Sequence, residues 1–245
     1  MRLFELTQPL TEVTAFQERK LMDNDWKNPR EVRNWLLSKN FEKKGSGQFS
    51  SAFVHPGYKR IVKISKKQDE CWLRFAFWTL KMTSHPNVPY ISWVRRYGED
   101  DKFFIAVVEK LAPFNRQAIM STVDLPGLAY LYIYEDWFKE DKQIITRLKK
   151  EGIIQDDTKL RPNRGGQKTR QIRELGKTSY KPQVRKWLKT AKGGKRFINV
   201  IRSSKKFARG KCAYDMHDGN LMFRPSDKRL VVIDPLADLN QAKWF

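Results

Sequence analysis

The stretch FEKKGSGQFSSAFVHPGYKRIVKIS, residues 41–65, constrains the fold more than any other part of this chain. Its apolar residues are too short-spaced for a helix, and it is broken at Gly45-Ser46-Gly47 and again at Pro56-Gly57. The run therefore predicts strand, glycine turn, strand, Pro-Gly turn, strand. A meander of this kind has to bury one face. The following QDECWLRFAFWTLKM, residues 68–82, offers the cover, because its apolar residues fill too much of a helix circumference for a surface helix and suit a half-buried one. After the break at SHPNVP come two further strand-like runs, YISWVRRY and KFFIAVVEKL, joined by the polar turn GEDD. The result is an antiparallel five-stranded sheet with one helix inserted after the third strand.

Upstream, residues 1–40 read as a helical extension. In NPREVRNWLLSKN, Asn28 suits a cap, Pro29 the first helical position, and Val32, Trp35 and Leu36 make an apolar stripe. Downstream, residues 112–150 read as helices, the main one being LPGLAYLYIYEDWFKEDKQIITRLKK, 125–150. Residues 151–196 carry Gly, Pro and basic residues without periodicity and read as a loop-rich insertion. Helical spacing returns in FINVIRSSKKFA, 197–208. The class is α+β.

Charge is concentrated rather than spread. The net charge is +22, and the segment Asp141–Lys211 alone holds 23 Lys and Arg against five Asp and Glu. A localised basic region implies a polyanionic partner, nucleic acid or an acidic protein surface. The longest apolar runs, such as FFIAVV at 103–108, fall far short of the roughly 20 residues that span a bilayer. No targeting leader is evident, so a soluble intracellular protein with no membrane contact is expected. Two cysteines, Cys71 and Cys212, with no second pair, argue against a disulfide scaffold and against a zinc site.

The chemistry-bearing residues cluster near the C-terminal end in AYDMHDGNLMFRPSDKRLVVIDP, 213–235. Asp215, His217 and Asn220 form D-x-H-x-x-N, and Asp234 follows the strand-like LVVI. A carboxylate and an amide five residues apart, then a second carboxylate at a strand end, can bring metal-binding oxygens and an acceptor-facing carboxylate together. Phosphoryl transfer also needs a backbone cover for phosphates and a cation on them. The glycine turn, Gly45, Ser46, Gly47, Gln48, Phe49 and Ser50, supplies the first, and Lys63 in RIVKIS the second. A lysine flanked by apolar residues is costly without an anionic partner.

Taken together these motifs resemble the protein-kinase-like fold, and more narrowly the early serine/threonine kinases of T7-like bacteriophages. The similarity rests on GSGQFSSAFVHP, RIVKI, DMHDGNLMF and IDP, and is strong over 41–66 and 213–235. The resemblance implies two lobes: an N-lobe at 41–111 and a truncated, mostly helical C-lobe at 112–245 that holds the basic insertion at about 141–211. It implies ATP and Mg2+ as cofactors. By it, Asp215 is the catalytic base, His217 faces the transferred phosphoryl group, and Asn220 and Asp234 hold Mg2+. Lys63 grips the α- and β-phosphates, paired with Glu70 or else Asp69, and main-chain groups of Glu109 and Leu111 read adenine.

The departures matter as well. Ser50 stands where a third glycine is usual, Ala213-Tyr214 replaces His-Arg, and Pro235-Leu236 follows Asp234. Eleven residues follow Asp234, so a kinase without an activation segment is expected, its acceptor site built by the basic region. The charge disfavours a cationic small-molecule acceptor. Host proteins, RNA polymerase among them, are the expected phosphoacceptors, in the host bacterial cytoplasm, with nucleic-acid contact through 141–211. The alternative is a kinase-fold binding protein that inhibits a host nucleic-acid-associated complex through its basic surface, with catalysis dispensable.

Overall fold

The structure, a computed structural model, describes residues 17–46, 49–82, 85–138, 141–155, 180–191, 195–207 and 212–238 and divides into two compact units. The first takes in the described residues up to Lys110, then Phe207, Cys212–Tyr214 and Asp234–Asp238. The second runs from Leu111 to Lys206 and from Asp215 to Ile233.

The first unit is built on the expected antiparallel sheet. Its strands are β1 (Glu42–Ser46), β2 (Ser50–Val54), β3 (Arg60–Lys66), β4 (Ile91–Tyr97) and β5 (Phe103–Glu109), in the order β1-β2-β3-β5-β4. β5 is buried along almost its whole length because the sheet is covered on both faces. Its side chains alternate accordingly. Phe103, Ile105 and Val107 enter a core with Leu21 from a helical segment over 17–23 (α1), Trp26 from the connection that follows, and Val32 and Leu36 from α2 (Pro29–Ser38). Phe104, Ala106 and Val108 pack on Trp72, Leu73 and Ala76 of α3 (Glu70–Leu80). Residues 17–40 are thus part of this unit's core rather than an appendage to it.

The cap read from the sequence is present: Asn28 Oδ1 accepts from the Arg30 and Glu31 amides, each at 3.1 Å, with Pro29 opening the helix. Glu18 in α1 ties the front of the chain to the sheet. Its carboxylate accepts from the Tyr58 hydroxyl, from Arg60 at 3.1 Å, from Ser92 at 2.8 Å and from Trp93 at 3.2 Å.

Two late pieces of chain complete the unit. β7 (Cys212–Tyr214) and β10 (Leu236–Asp238) pair antiparallel, and β10 packs on α3. The two cysteines are bonded to each other across 141 residues of sequence. The sequence argued against a disulfide scaffold, and this single bridge corrects that reading: only the tertiary placement of β7 beside the first turn of α3 brings the thiols together.

The second unit contains α4 (Arg116–Ser121), α5 (Leu125–Tyr134), α6 (Lys142–Lys150), α7 (Tyr180–Thr190), α8 (Lys195–Phe207), whose last residue belongs to the first unit, and a small sheet. The sheet orders β6 (Ala112–Pro113), β8 (Leu221–Arg224) and β9 (Arg229–Val232). α5 is the centre: Pro126–Ile133 are all buried, and Gly127 admits Phe197, whose Cδ1 would lie 2.6 Å from any Cβ there.

Two expectations need correction. The long helix over 125–150 is broken, because Glu135 turns to extended backbone and places its buried carboxylate 2.6 Å from the Lys205 ammonium. A 3-10 turn, Asp136–Phe138, follows, and Asp141 recaps the chain by accepting from the Gln143 and Ile144 amides at 2.7 and 3.0 Å. The supposed loop at 151–196 contains α7, which buries Val184. Residues 156–179 and 192–194 lie outside the described residues.

Candidate active site

Lys63 comes from β3, where strand alternation sets it between Val62 and Ile64 and turns it to the α3 side of the sheet, opposite Ala106 of β5. Its side chain is 13 % exposed, and three groups surround its ammonium. The Asp69 carboxylate lies at 3.5 Å, the Asp234 carboxylate at 3.7 Å, and the Trp72 ring centroid at 3.7 Å. Trp72 is itself fixed by parallel stacking on Phe104, centroids 5.6 Å apart. The cost of placing a cation among apolar residues is thus met by two carboxylates and a π face.

The Lys63 partner is Asp69, the residue just before α3, and not Glu70. Glu70 is occupied by Arg96 of β4 at 2.8 Å and Arg74 at 3.7 Å. Burial pushes the Asp69 carboxyl up from the ordinary aspartate value, and the Lys63 charge opposes that rise. Asp69 is therefore a carboxylate that depends on its cation.

The glycine turn joins β1 to β2. Gly45 stands opposite Ala52, beside a register shift in β1, and Ser46 stands opposite Ser51. Phe49 and Ser50 open the second arm, the Phe49 carbonyl accepting from the Lys66 amide at 2.9 Å. Gly47 and Gln48 lie outside the described residues. At the end of β5 the Glu109 amide donates to the Tyr90 carbonyl at 2.8 Å, and its side chain accepts from the Tyr90 amide at 3.1 Å. Glu109 is also the last residue of β5 in register with β3, opposite Arg60. Leu111 is half-buried and opens the second unit.

In the second unit the D-x-H-x-x-N residues form one local cluster. Asn220 is buried and donates through Nδ2 to the Asp215 carbonyl at 2.8 Å and to Asp215 Oδ2 at 3.4 Å. Its own carbonyl accepts from the Ile233 amide at 3.0 Å, which ties the loop to the residue preceding Asp234. His217 Nδ1 accepts from the Gly219 amide at 3.1 Å, so the ring proton belongs on Nε2, which lies 3.6 Å from Asp215 Oδ2. The histidine thus faces the carboxylate without a hydrogen bond to it.

Two residues that the sequence did not single out support it. Trp137, 71 % exposed, lays its ring 5.9 Å from the His217 imidazole. Gly219 is required by space, since a Cβ there would lie 2.8 Å from His217 Cε1. Gly219 was visible in the motif as the residue before Asn220; nothing in the sequence pointed to Trp137, 80 residues away.

A family model described as bacteriophage T7 protein kinase 0.7 matches residues 7–243. The chain belongs to that family. Membership makes it a kinase-like phosphotransferase, and every site residue described above lies within the matched span. Among solved structures, the bacteriophage kinase family chain is similar at 16 % identity to the aminoglycoside phosphotransferase APH(2")-IIa in its streptomycin–ATP complex, covering 87 % of this chain and 73 % of that one with a TM-score of 0.33. It is similar at 13 % identity to Rad53 1–466 bound to AMP-PNP, covering 84 % and 42 %, again with a TM-score of 0.33. At those scores the family match alone carries the assignment. No curated protein sequence matches. Among the described residues no helix is long and apolar enough to cross a membrane.

Proposed function

We propose that this chain is an ATP- and Mg2+-dependent serine/threonine protein kinase that phosphorylates host proteins in the host bacterial cytoplasm. One observation carries the reading: an interior-strand lysine flanked by two carboxylates, Asp69 at 3.5 Å and Asp234 at 3.7 Å, is a cation stored among anions that phosphate oxygens can replace. ATP is bound by Lys63 and by the turn that contains Gly45, Ser46, Phe49 and Ser50, and main-chain groups of Glu109 and Leu111 meet adenine.

Mg2+ fits the donor set. It takes one or two protein oxygens and fills the rest of its shell with phosphate oxygens and water. Asp234 offers a carboxylate, and Asn220, its Nδ2 already donating to Asp215, offers Oδ1. The ion, when bound, neutralises charge on the phosphate oxygens. Asp215 accepts the proton of the acceptor hydroxyl as its oxygen bonds to the γ-phosphorus and the bond to the ADP oxygen breaks. Asn220 holds that residue in place, and His217 faces the transferred phosphoryl group.

A net charge of +22 repels cationic small molecules and favours acidic proteins or proteins carried on nucleic acid, of which RNA polymerase is the leading candidate. The basic region 141–211 is where nucleic acid or such a partner is engaged. Labelled ATP with Mg2+ and host lysate, run beside Asp215→Asn and Lys63→Met, tests the reading, and phosphoserine or phosphothreonine should form with the parent protein alone. If Asp215→Asn keeps its full effect in cells, the chain acts by binding and the enzyme reading fails.

A further inference from the structure

On the face of the sheet turned away from α3, a groove of about 700 Å³ opens between α2 and the β1–β2–β3 meander. Lys63 does not line it, but it shares Ser46, Phe49 and Ser50 with the turn assigned to ATP. The pairing of Lys43 with Phe53, Ser46 with Ser51 and Ser51 with Ile64 turns this set to one side. Phe53 and Ile64 lie buried beneath its floor, Phe49 is half-buried at its edge, and Ser46 and Ser51 add hydroxyls. From α2, Leu37 stands 45 % exposed on the wall.

The rim is cationic throughout. Arg30 and Arg33 line it from the helix, and Lys43 and Lys66 from the strands, all four exposed. Among the described lining residues there is no carboxylate. The neighbouring lysine behaves differently, since Lys44 is paired with Glu42 at 2.7 Å. A helix that buries Val32 and Leu36 on the sheet has no packing need for arginines over this groove. Four like charges around it repel one another, and an anionic occupant relieves that.

We propose that this groove binds an acidic peptide segment carrying an apolar side chain, the carboxylates meeting the rim and the apolar group meeting Leu37 and Phe49. A nucleic acid strand would use the cations and leave Leu37 and Phe49 without an equivalent contact. The groove also takes in Phe49 and Ser50, so the occupant sits on the back of the glycine turn. As a docking site for phosphoacceptor proteins, this deepens the kinase reading; the binding itself does not rest on it.

The test is fluorescence anisotropy on the full chain with a labelled Asp/Glu-rich peptide containing one Phe, its Asn/Gln counterpart, and a single-stranded oligonucleotide of similar length. The acidic peptide should bind and the neutral one should not. Arg33→Glu with Lys43→Glu should weaken it by roughly ten-fold or more, and Leu37→Ser by about three-fold. Lys59→Glu with Lys81→Glu makes the same charge change on exposed positions outside both the groove and the basic region and should cost less than about two-fold. Equal losses in the two double variants would assign binding to general charge and overturn the proposal, as would absence of binding. It is equally overturned if the oligonucleotide displaces the peptide and itself loses affinity in the groove variant. No turnover is needed, so loss of peptide binding with phosphotransfer intact removes this inference alone, and the converse removes the kinase reading alone.

Discussion

Lys63→Met removes a charge while keeping the length of the side chain, and the structure states what is left behind. Asp69, 15 % exposed, loses the cation at 3.5 Å, and Asp234, 33 % exposed, loses it at 3.7 Å. Breaking a fully buried pair costs about 3–5 kcal/mol, and partial exposure here discounts that to about 2 kcal/mol. In a chain of this size that is a fall in Tm of about 4–8 °C.

The pH dependence has a definite sign. Burial already raises Asp69, and removing Lys63 takes away the influence that lowers it. A carboxyl raised in the folded state costs stability once pH exceeds its unfolded value, and the cost is complete above its folded value. The deficit of Lys63→Met should therefore be largest near neutral pH and shrink as pH falls through the folded value. Asp69→Asn added to Lys63→Met should restore most of the Tm without restoring ATP binding. Thermal melts from about pH 8 to about pH 5 with parallel nucleotide titrations read both. A pH-independent deficit, or a double variant no more stable than Lys63→Met, would refute the reasoning.

Gly219→Ala places a methyl 2.8 Å from His217 Cε1 and must swing the ring, so phosphotransfer should fall by tens-fold with Tm unchanged; in a His217→Ala background it should cost nothing further. Asp124, 1 % exposed, accepts from the Leu230 amide at 2.8 Å and from Arg229 at 3.3 Å, joining the turn before α5 to the β8–β9 hairpin. Asp124→Asn should lower stability by about 2–3 kcal/mol in denaturant melts, and a change under about 0.5 kcal/mol would show that the hairpin does not depend on it. Reducing the Cys71–Cys212 bridge opens a loop that spans 141 positions and should cost up to about 5 kcal/mol on the chain-entropy account. Comparing melts with and without reductant, against Cys71→Ala with Cys212→Ala, checks this, and equal melts would show that the bridge is absent or carries no load.

What the sequence made legible was local. The five strands, the Asn28 cap and the Asp215–His217–Asn220 cluster are written within a few residues of themselves, as period-two burial, a capping pattern and a tight turn. What it hid depends on partners far along the chain. Glu135 breaks the expected long helix because Lys205 answers its buried carboxylate from 70 residues away. The choice of Asp69 over Glu70 turns on where α3 begins and on Arg96 of β4 claiming Glu70. The cysteine bridge and the Trp137–His217 contact are likewise tertiary, and two cysteines in a chain of 245 carry no signal about whether they meet.

The discontinuity of the first unit sets an order of events during synthesis. α3 is complete at Leu80, but β10, which packs on it, is not made until Asp238. At roughly 5–20 residues per second the ribosome needs about 8–30 s to cover that distance. Throughout that interval Lys63 and Asp69 are in place while Asp234 does not yet exist, and Cys71 waits for Cys212. Nascent chains can therefore form the sheet early, yet none can assemble the carboxylate pair around Lys63 before translation has passed Asp234, so the charge environment of that lysine changes abruptly late in synthesis.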